Sequence, residues 1–376
     1  MRILYVYDTL ALWGGIERIF VNKMNALVSM YGYEVYMLTA NQGDHSLPFK
    51  LDERIIYEDM AIFTHHQYRY RGPRRYYERW QRNRLLCRKL KEKIAEINPD
   101  IIVSTTSRYI PQLLQVKGKI PLVSESHSGY DHVLEFDKMT WWRRFQVKRL
   151  YQQLRKTDVL VALTEEDAHS WRMVHPNVRV IPNMTDFNHT GHYSTCERKQ
   201  ALFVGRFAMQ KGIEELLKIW QLVHQRYPDW ELHIYGEGEL KPRFEREVAD
   251  MPDCQIYIHQ PVSNIIDQYL GSSMLLVTSI YEPFGLVIVE AMSCGLPVVS
   301  FKCPYGPENI ITDGQDGLLV KERDVHVFAD RICQLIENKQ LRQHLGERAV
   351  VSAQRYSSEN VLPMWKSLFE ELTGVD

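Results

Sequence analysis

Short apolar runs alternate with polar, helix-like stretches along this chain, and the alternation starts a second time near residue 200. Continuous apolar strands separated by helices are typical of parallel sheets covered on both faces. The pattern therefore predicts an α/β chain of two Rossmann-like, doubly wound parallel-sheet domains. The predicted strands of the first half lie at residues 3–7, 34–39, 99–104, 121–124, 158–163 and 178–183. Those of the second half lie at residues 200–205, 230–235, 255–259, 274–278, 297–300 and 317–320.

The chain length agrees with two domains, because 376 residues are too many for one ordinary core. We predict a first domain over residues 1–184, a second over residues 185–356, and a C-terminal helix in residues 357–376. That helix either crosses back to the first domain or caps the second. Ligand loops of doubly wound sheets lie at the carboxyl ends of the strands, so two such sheets facing a cleft would present both sets of loops to it.

Composition excludes several classes of protein. No segment approaches the about 18 consecutive apolar residues of a membrane-spanning helix. The chain begins with a predicted strand, so we expect no signal peptide. Six cysteines occur without a CxxC pair, so we expect a reduced, cytoplasmic setting and no zinc site. An Asp-x-Asp cluster is missing from the sequence, and we expect neither a metal nor another cofactor.

The stretch Tyr281–Ser300 reads YEPFGLVIVEAMSCGLPVVS and carries the most specific chemical signal of the chain. Pro283 predicts a helix entrance, and free N–H groups at such an end attract phosphate or sugar oxygens. Glu282 and Glu290 are predicted to lie roughly 10 Å or more apart at a rise of ~1.5 Å per residue. Two separated carboxylates suit holding hydroxyls at two places along an extended ligand. The alternative is a surface helix whose acids only flank its first turns.

Two cations follow the first strand of the second half. Arg206 presents a planar fork of donors and Lys211 a mobile point charge, a combination suited to a diphosphate. Fixed cations of this kind would stabilise the negative charge that develops when a sugar–diphosphate bond breaks. Solvated side chains on a loop are the alternative for either residue.

Two further loops in this half are candidates for ligand contact. Gly236 and Gly238 end the next strand, where glycine allows a ligand to approach the backbone closely. Gln260 follows the strand after that and would present backbone groups to a base.

Together with an early Gly14-Gly15 turn, these segments resemble glycosyltransferase family 4, and the resemblance covers essentially the whole chain. It implies the GT-B fold, with an acceptor-binding first domain and a nucleotide-sugar-binding second domain. It also implies retaining transfer of a sugar from a nucleotide-sugar donor. Arg206 and Lys211 would bind the donor diphosphate, and Glu290 would hold the ribose hydroxyls.

The same resemblance implies roles for the remaining candidates. Glu282, with the backbone N–H groups of Phe284, Gly285 and Leu286, would grip the transferred sugar. Gly14 and Gly15 would let their loop close over the phosphates. His127, just after a strand of the first half, matches the active-site histidine of the family, and an ordinary loop histidine is the alternative.

Charge is distributed unevenly between the halves. Residues 1–190 contain 28 Lys and Arg against 21 Asp and Glu, whereas the remainder contains 18 against 26. Residues 66–93 alone hold eleven Lys and Arg with five aromatic side chains, and residues 141–149 repeat this composition. Basic and aromatic residues together suit anionic lipid head groups. A nucleic-acid patch is disfavoured since no nucleic-acid-binding motif accompanies it, and a solvated helix face is the other alternative.

These observations predict a glycosyltransferase at the cytoplasmic face of the membrane. Its donor would be a nucleotide sugar, with UDP favoured, and its acceptor a lipid-linked or saccharide hydroxyl in bacterial surface polysaccharide synthesis. The alternatives are a GT-B nucleotide-sugar epimerase, which needs no acceptor, and a non-catalytic nucleotide-sugar-binding protein. A nicotinamide dehydrogenase is disfavoured, because neither first strand leads into GxGxxG with an acid about twenty residues on.

Overall fold

The computed structural model describes residues 1–12, 14–106, 109–130, 140–185, 187, 191–262 and 264–374, without the side chains of Trp142, Arg143 and Pro252. The chain divides into two compact units. The first comprises Met1–Met184 together with the residues from Val361 onward, and the second comprises Thr185–Asn360.

The first unit is built on a seven-stranded sheet in which every neighbouring pair is parallel. Its strands are β1 (Arg2–Tyr7), β2 (Glu34–Thr39), β3 (Ile56–Asp59), β4 (Ile101–Thr105), β5 (Leu122–Glu125), β6 (Val159–Ala162) and β7 (Val178–Val180). Their order across the sheet is β3-β2-β1-β4-β5-β6-β7. The described helices are α1 (Gly15–Tyr31), α2 (Gly72–Ile97), α3 (Ile110–Val116), α4 (Trp141–Leu154) and α5 (Glu165–Arg172), with a 3-10 helix at Thr64–Arg69.

Alternation along the strands gives this sheet two apolar faces. In β1, Ile3 and Tyr5 join the core that α1 covers, whereas Leu4 and Val6 join the core that α2 and α3 cover. Successive side chains of a strand point to opposite faces, so a strand that is apolar throughout must be covered on both sides. The predicted doubly wound architecture is confirmed for this unit.

Strand β3 was not among the predicted strands. It is an edge strand, paired only with β2 among the described strands, and its residues alternate between exposed and half-buried. Its two acids break the apolar run, and Asp59 instead accepts hydrogen bonds from Thr39 Oγ1 at 2.9 Å and from the Gly43 N–H at 3.0 Å. Charged edge strands protect a sheet from further pairing, but they lack the apolar pattern by which buried strands are recognised.

The second unit contains a six-stranded parallel sheet. Its strands are β8 (Gln200–Val204), β9 (Glu231–Tyr235), β10 (Ile256–His259), β11 (Met274–Val277), β12 (Val298–Phe301) and β13 (Leu318–Val320), in the order β10-β9-β8-β11-β12-β13. Its helices are α6 (Ile213–Arg226), α7 (Lys241–Ala249), α8 (Ile266–Leu270), α9 (Leu286–Ser293), α10 (Pro307–Ile310), α11 (Val325–Glu337) and α12 (Lys339–Ala353). Single 3-10 turns occur at Met209–Lys211, Pro252–Cys254 and Gln354–Tyr356. All six predicted strands of this half are present.

A last helix, α13 (Ser358–Thr373), ends the described chain. Its apolar residues, including Val361, Trp365 and Phe369, are buried in the core of the first unit beside α1. These residues recur at helical spacing, so one side of α13 is apolar and needs a partner surface.

Candidate active site

The second sheet has a topological switch point between β8 and β11, where the chain order on the two sides runs in opposite directions. Loops after strands on either side of such a point separate and leave a crevice that binds ligands. Residues 205–212 follow β8, and residues 278–285 follow β11. Five predicted site residues therefore lie at this edge of the sheet: Arg206, Lys211, Glu282, Phe284 and Gly285.

The loops after β8 and β9 are tied together through their backbones. The Gly205 N–H donates to the Tyr235 carbonyl at 3.0 Å, and the Phe207 N–H donates to the Glu237 carbonyl at 2.9 Å. A Cβ atom at Gly236 would lie 2.0 Å from the Gly205 carbonyl oxygen. Only glycine fits such an approach, so Gly236 has a packing role here.

Lys211 and Glu282 form an ion pair through Nζ and Oε1, in which the two side chains are 17% and 7% exposed. Ser279 Oγ donates to the same carboxylate oxygen at 2.6 Å. The pairing depends on Gly212, which has φ of +61° and whose Cβ would lie 2.1 Å from the Thr278 carbonyl oxygen. The structure thus brings together two residues that the sequence assigned separately to diphosphate and sugar.

Arg206 lies at the same edge of the sheet, but its surroundings differ from those of Lys211. Its side chain is exposed, and among the described residues it has no ion-pair partner. The Lys211 side chain passes within 3.6 Å of the Cβ position of the neighbouring Gly205. One solvated guanidinium and one partly neutralised ammonium therefore flank the loop after β8.

Arg323 was not predicted as a site residue, yet it holds the loop after β11 in place. Its guanidinium donates to the Thr278 carbonyl at 2.6 Å and to the Ser279 carbonyl at 2.9 Å, and it pairs with Glu215 at 2.9 Å. Its sequence neighbourhood is a polar turn after β13, and no motif marks it. The parallel sheet places this turn at the same edge as the loop after β11, and the long Arg323 side chain spans the intervening strand β12.

The predicted helix entrance at Pro283, with the helix beginning at Phe284, is wrong by two residues. Helix α9 begins at Leu286, and its N-cap Gly285 has φ of +98°, a conformation that strongly favours glycine. The chain is still paired at Glu282, which forms a parallel bridge with Tyr305 and donates its N–H to the Pro304 carbonyl at 3.3 Å. The free N–H groups of the first turn therefore start at Leu286 rather than at Phe284.

Glu290 is the fifth residue of α9 and so lies just over one turn into the helix, rather than about two. Its side chain is buried, with 1% exposure, and it accepts a hydrogen bond from the Tyr269 hydroxyl at 3.0 Å. Tyr269 lies on α8 and was not predicted. Its aromatic character alone does not distinguish it from other core residues.

Gln260 follows β10 and is exposed. Next to it, the buried Lys241 Nζ donates to the carbonyls of Gly236 and His259 at 3.2 and 3.3 Å and pairs with Glu237 at 3.0 Å. Lys241 thereby joins the ends of β9 and β10, a role that its position in a charged helix did not indicate.

In the first unit, Gly14 is the N-cap of α1 and Gly15 its first residue. The Glu17 carboxylate folds back over this helix end, so that a Cβ at Gly14 would lie 2.1 Å from Glu17 Oε2. Tyr7 OH donates to the other carboxylate oxygen at 3.2 Å. Burial raises the pKa of Glu17, against its backbone and Tyr7 hydrogen bonds.

His127 is buried at the end of β5, and its Nε2 lies 3.1 Å from Glu125 Oε2. Glu125 Oε1 in turn pairs with Lys23 Nζ at 2.5 Å, and both of these side chains are 2% exposed. Burial opposes ionisation of Glu125, but the charge and hydrogen bonds of Lys23 and His127 outweigh it and lower the pKa of Glu125. An ionised carboxylate thus holds the His127 ring by one nitrogen.

The same two-unit architecture occurs in solved glycosyltransferases. A variant of S. aureus TarM, in complex with Fondaparinux, alpha-GlcNAc-glycerol and UDP, matches 98% of this chain and 99% of its own, with a TM-score of 0.79 at 16% identity. The likeness establishes the GT-B fold for this chain.

Two family models match consecutive parts of this chain. The model described as Glycosyltransferase Family 4 matches residues 13–189, and the model described as Glycosyl transferases group 1 matches residues 186–350. An uncharacterized glycosyltransferase of Haemophilus influenzae is 26% identical over 361 residues, covering 94% of this chain and 96% of that protein. The chain belongs to the family 4 glycosyltransferases.

A second relative is similar over a shorter part of the chain. The poly(ribitol-phosphate) alpha-N-acetylglucosaminyltransferase of Staphylococcus aureus is 31% identical over 196 residues, which cover 51% of this chain and 39% of that enzyme. The match therefore spans less than half the length of that relative.

Proposed function

We propose that this glycosyltransferase moves a sugar, with retention of configuration, from a nucleotide-sugar donor to a hydroxyl of a saccharide or lipid-linked acceptor in bacterial surface polysaccharide synthesis. The observation that carries the proposal is the Lys211–Glu282 pair beside the solvated Arg206, at the switch point of the second sheet. UDP is the favoured nucleotide, and the UDP in the TarM complex supports that choice. Family membership favours transfer over an epimerase or a non-catalytic binding protein.

The charges of this site suit a leaving diphosphate. In the proposed reaction, the bond between the anomeric carbon and the diphosphate oxygen breaks, and its electron pair remains on the diphosphate. The acceptor oxygen bonds to the anomeric carbon from the same face, and its proton passes to a diphosphate oxygen. Arg206 and Lys211 stabilise the charge that develops on the leaving oxygen, because fixed donors need no reorganisation during the step. Glu282 holds Lys211 in place and accepts a hydrogen bond from a hydroxyl of the sugar.

The remaining assignments belong to the same proposal. Glu290 accepts hydrogen bonds from the ribose hydroxyls, while Gly238 and Gln260 contact the nucleotide. The first-turn N–H groups of α9, starting at Leu286, bind oxygens of the donor because a helix N-terminus favours negative charge. In the first unit, the loop of Gly14 and Gly15 is assigned to the donor phosphates, and His127 is assigned as the active-site histidine.

A thermal-shift screen of UDP, GDP and ADP, each free and as the sugar conjugate, tests the donor site. A nucleotide at 100 times its Kd raises stability by about 2.7 kcal/mol, which corresponds to a rise in Tm of about 5–10 °C. We expect this rise for UDP compounds, and we expect Arg206→Ala to reduce it at least by half. Arg348→Ala, which removes another exposed arginine of the second unit, is the matched control. A screen in which no nucleotide raises Tm, or in which Arg206→Ala responds like Arg348→Ala, would contradict the assignment.

We also propose that the first unit docks on an anionic membrane at the cytoplasmic face. The half of α2 before Leu86 has no buried residue, and Tyr76, Tyr77 and Trp80 are 73%, 55% and 52% exposed. Within the residues that the structure covers, no helix combines the length and apolar character that crossing a bilayer requires. Docking of exposed aromatic side chains between cations therefore fits this surface better than insertion of a helix.

Cations and rings alternate closely on this surface. The guanidinium of Arg74 lies 4.3 Å from the Tyr70 ring centre, and that of Arg75 lies 4.6 Å from the Tyr68 ring centre. On α4, Trp141 is 70% exposed, whereas the side chains of Trp142 and Arg143 lie outside the described residues. The two stacked arginines remain available to lipid phosphates, because no carboxylate of the described residues forms an ion pair with either guanidinium group.

Vesicle partition tests the membrane proposal. Each cation near an anionic surface contributes about 1 kcal/mol, so the triple variant Arg74→Ala/Arg75→Ala/Arg79→Ala should bind phosphatidylglycerol vesicles at least about tenfold more weakly. The matched control is Lys218→Ala/Lys321→Ala/Arg348→Ala, which removes the same charge from exposed positions of the second unit. Equal partition of the two triple variants in a sedimentation assay would refute membrane docking by this surface.

A further inference from the structure

The loop after β5 carries His127, and buried contacts connect this residue to the last helix, α13. His127 Nε2 lies 3.1 Å from Glu125 Oε2, and Glu125 Oε1 lies 2.5 Å from Lys23 Nζ on α1. The Lys23 ammonium in turn lies 4.0 Å from the ring centre of Trp365 on α13. The side chains of Trp365, Lys23, Glu125 and His127 therefore form one continuous series of contacts inside the first unit.

The surroundings of Lys23 are aromatic except at Glu125, which is its only ion-pair partner within the described part of the chain. The ring centres of Trp365, Phe20 and Tyr5 lie 4.0, 5.1 and 5.4 Å from the ammonium nitrogen. Burial lowers the pKa of Lys23, against the charge and hydrogen bond of Glu125. Attraction between a cation and an aromatic face is strongest where water is excluded. Trp365, the nearest ring, is therefore a main support of this charge.

The charge of Lys23 decides how Glu125 binds His127. Burial alone would raise the pKa of Glu125, but the charges and hydrogen bonds of Lys23 and His127 lower it. An ionised carboxylate can only accept hydrogen bonds, so His127 Nε2 must carry a proton, and a neutral ring then has its lone pair at Nδ1. Nδ1 is buried and has no hydrogen-bond partner among the residues that the structure describes. The Glu125 carboxylate is therefore the group that fixes the ring.

Stability alone does not account for this arrangement. A buried ion pair is often no more stabilising than two apolar side chains of the same volume. Apolar residues at positions 23 and 125 would, however, leave Nε2 of His127 without an acceptor. The geometry thus gives the pair a role toward His127 that apolar side chains could not have.

We propose that Lys23 and Trp365 are positioning residues for sugar transfer, which act on His127 through Glu125. Trp365 stabilises the Lys23 ammonium, and Lys23 keeps Glu125 in its carboxylate form. Glu125 then fixes the orientation and the tautomer of the His127 ring. The assignment rests on the proposed transfer reaction, in which His127 is the active-site histidine.

The tautomer of His127 can be measured without turnover. Long-range proton–nitrogen NMR of the full chain, with isotope-labelled histidine, distinguishes a proton at Nε2 from one at Nδ1. His127→Ala identifies the signals of this residue among the 14 histidines. We expect the Nε2–H tautomer in the wild type, and both tautomers in Lys23→Met/Glu125→Leu, which removes the two charges and the acceptor. A proton at Nδ1 in the wild type, or an unchanged tautomer in this variant, would overturn the proposal.

Substitutions on α13 test the role of Trp365. Trp365→Leu should lower kcat at least about fivefold, because a small misplacement of a group at the reacting centre slows a reaction strongly. Trp365→Phe keeps an aromatic face and should retain at least about half of the wild-type kcat. The matched control is Phe369→Leu, since Phe369 is buried on the same helix but is not one of the three rings around Lys23. It should lower Tm through lost packing but leave kcat within about twofold of the wild type.

A comparison in two backgrounds separates positioning from general destabilisation. Lys23→Met/Glu125→Leu should lower kcat at least about tenfold in the wild type but less than about twofold in His127→Ala, where the positioned ring is absent. Equal effects in both backgrounds, or equal kcat of Trp365→Leu and Phe369→Leu, would contradict the assignment.

Failure of the proposed function would be recognised separately. The UDP-induced rise in Tm reports on the second unit and should persist in all of these variants. A wild type that transfers sugar from no nucleotide sugar would contradict the proposed function, whereas the NMR measurement would still decide whether Lys23 and Glu125 set the tautomer of His127.

Discussion

Replacement of Lys23 by methionine is expected to lower the free energy of unfolding by about 3–5 kcal/mol, the cost of leaving one member of a buried ion pair without its partner. Lys23 and Glu125 are each 2% exposed. The ammonium group lies 4.0 Å from the Trp365 ring centre and 5.1 Å from that of Phe20, so it is enclosed by aromatic faces. In Lys23→Met, the Glu125 carboxylate would keep His127 but lose its only described cation. Equilibrium urea denaturation measures the difference.

The control for this prediction uses an exposed pair. Lys199 and Asp229 form an ion pair whose side chains are 61% and 55% exposed. Lys199→Met should change stability by only about 0–1 kcal/mol, because solvent already screens that pair. The double variant Lys23→Met/Glu125→Gln should recover much of the loss, since no buried charge remains unpaired. If Lys23→Met were as stable as Lys199→Met, the buried pair would not have the importance assigned to it.

Substitution of Lys211 is expected to have the largest effect on activity. Lys211→Met should lower kcat for sugar transfer on the order of 100-fold, and by at least tenfold. This is the usual effect of removing one electrostatic donor to a developing charge. Methionine keeps the aliphatic length that passes Gly205. The measurement is product formation by mass spectrometry, with the nucleotide sugar found in the thermal-shift screen. Lys218→Met, an exposed lysine on α6, is the matched control.

Loss of Lys211 also leaves Glu282 without its cation, so folding must be separated from catalysis. Lys211→Arg keeps the charge and should retain the stability of the wild type with reduced transfer. Glu290→Gln keeps the side-chain shape and an oxygen that accepts from Tyr269 OH, so it should fold normally and still lose at least tenfold in transfer. Near-normal turnover in both Lys211→Met and Glu290→Gln would show that the donor site is elsewhere.

The two-domain α/β fold was predictable because buried parallel strands are apolar over their whole length. β6 and β11, for example, are buried at every position, and both appear in the sequence as uninterrupted apolar runs. Strand β3 escaped prediction because it is a charged edge strand. The start of α9 was misplaced because the bridge between Glu282 and Tyr305 keeps the chain extended past Pro283. That bridge joins residues far apart in sequence, and no local signal encodes it.

The candidate site also contains residues that the sequence indicated and residues that it did not. Arg206, Lys211, Glu282 and Glu290 were identified from the sequence because each lies in a local pattern of strand end, glycine and helix start. Their partners were not. Ser279 and Arg323 hold the loop of Glu282, and Tyr269 holds Glu290. These partners carry no motif, since their role is only to hydrogen-bond a neighbour that the strand order supplies.

From the sequence alone, the apolar periodicity determined the two Rossmann-like domains. The glycine-flanked motifs determined which residues lie in the loops that follow the strands. The tertiary structure decided how the charges are paired. It joined Lys211 to Glu282, and it enclosed Lys23 between Glu125 and the ring of Trp365. The physical reason is that periodicity reports the burial of each residue separately. An ion pair in a dry interior instead depends on two groups meeting within a few ångströms, and that distance is set by the order of strands across the sheet.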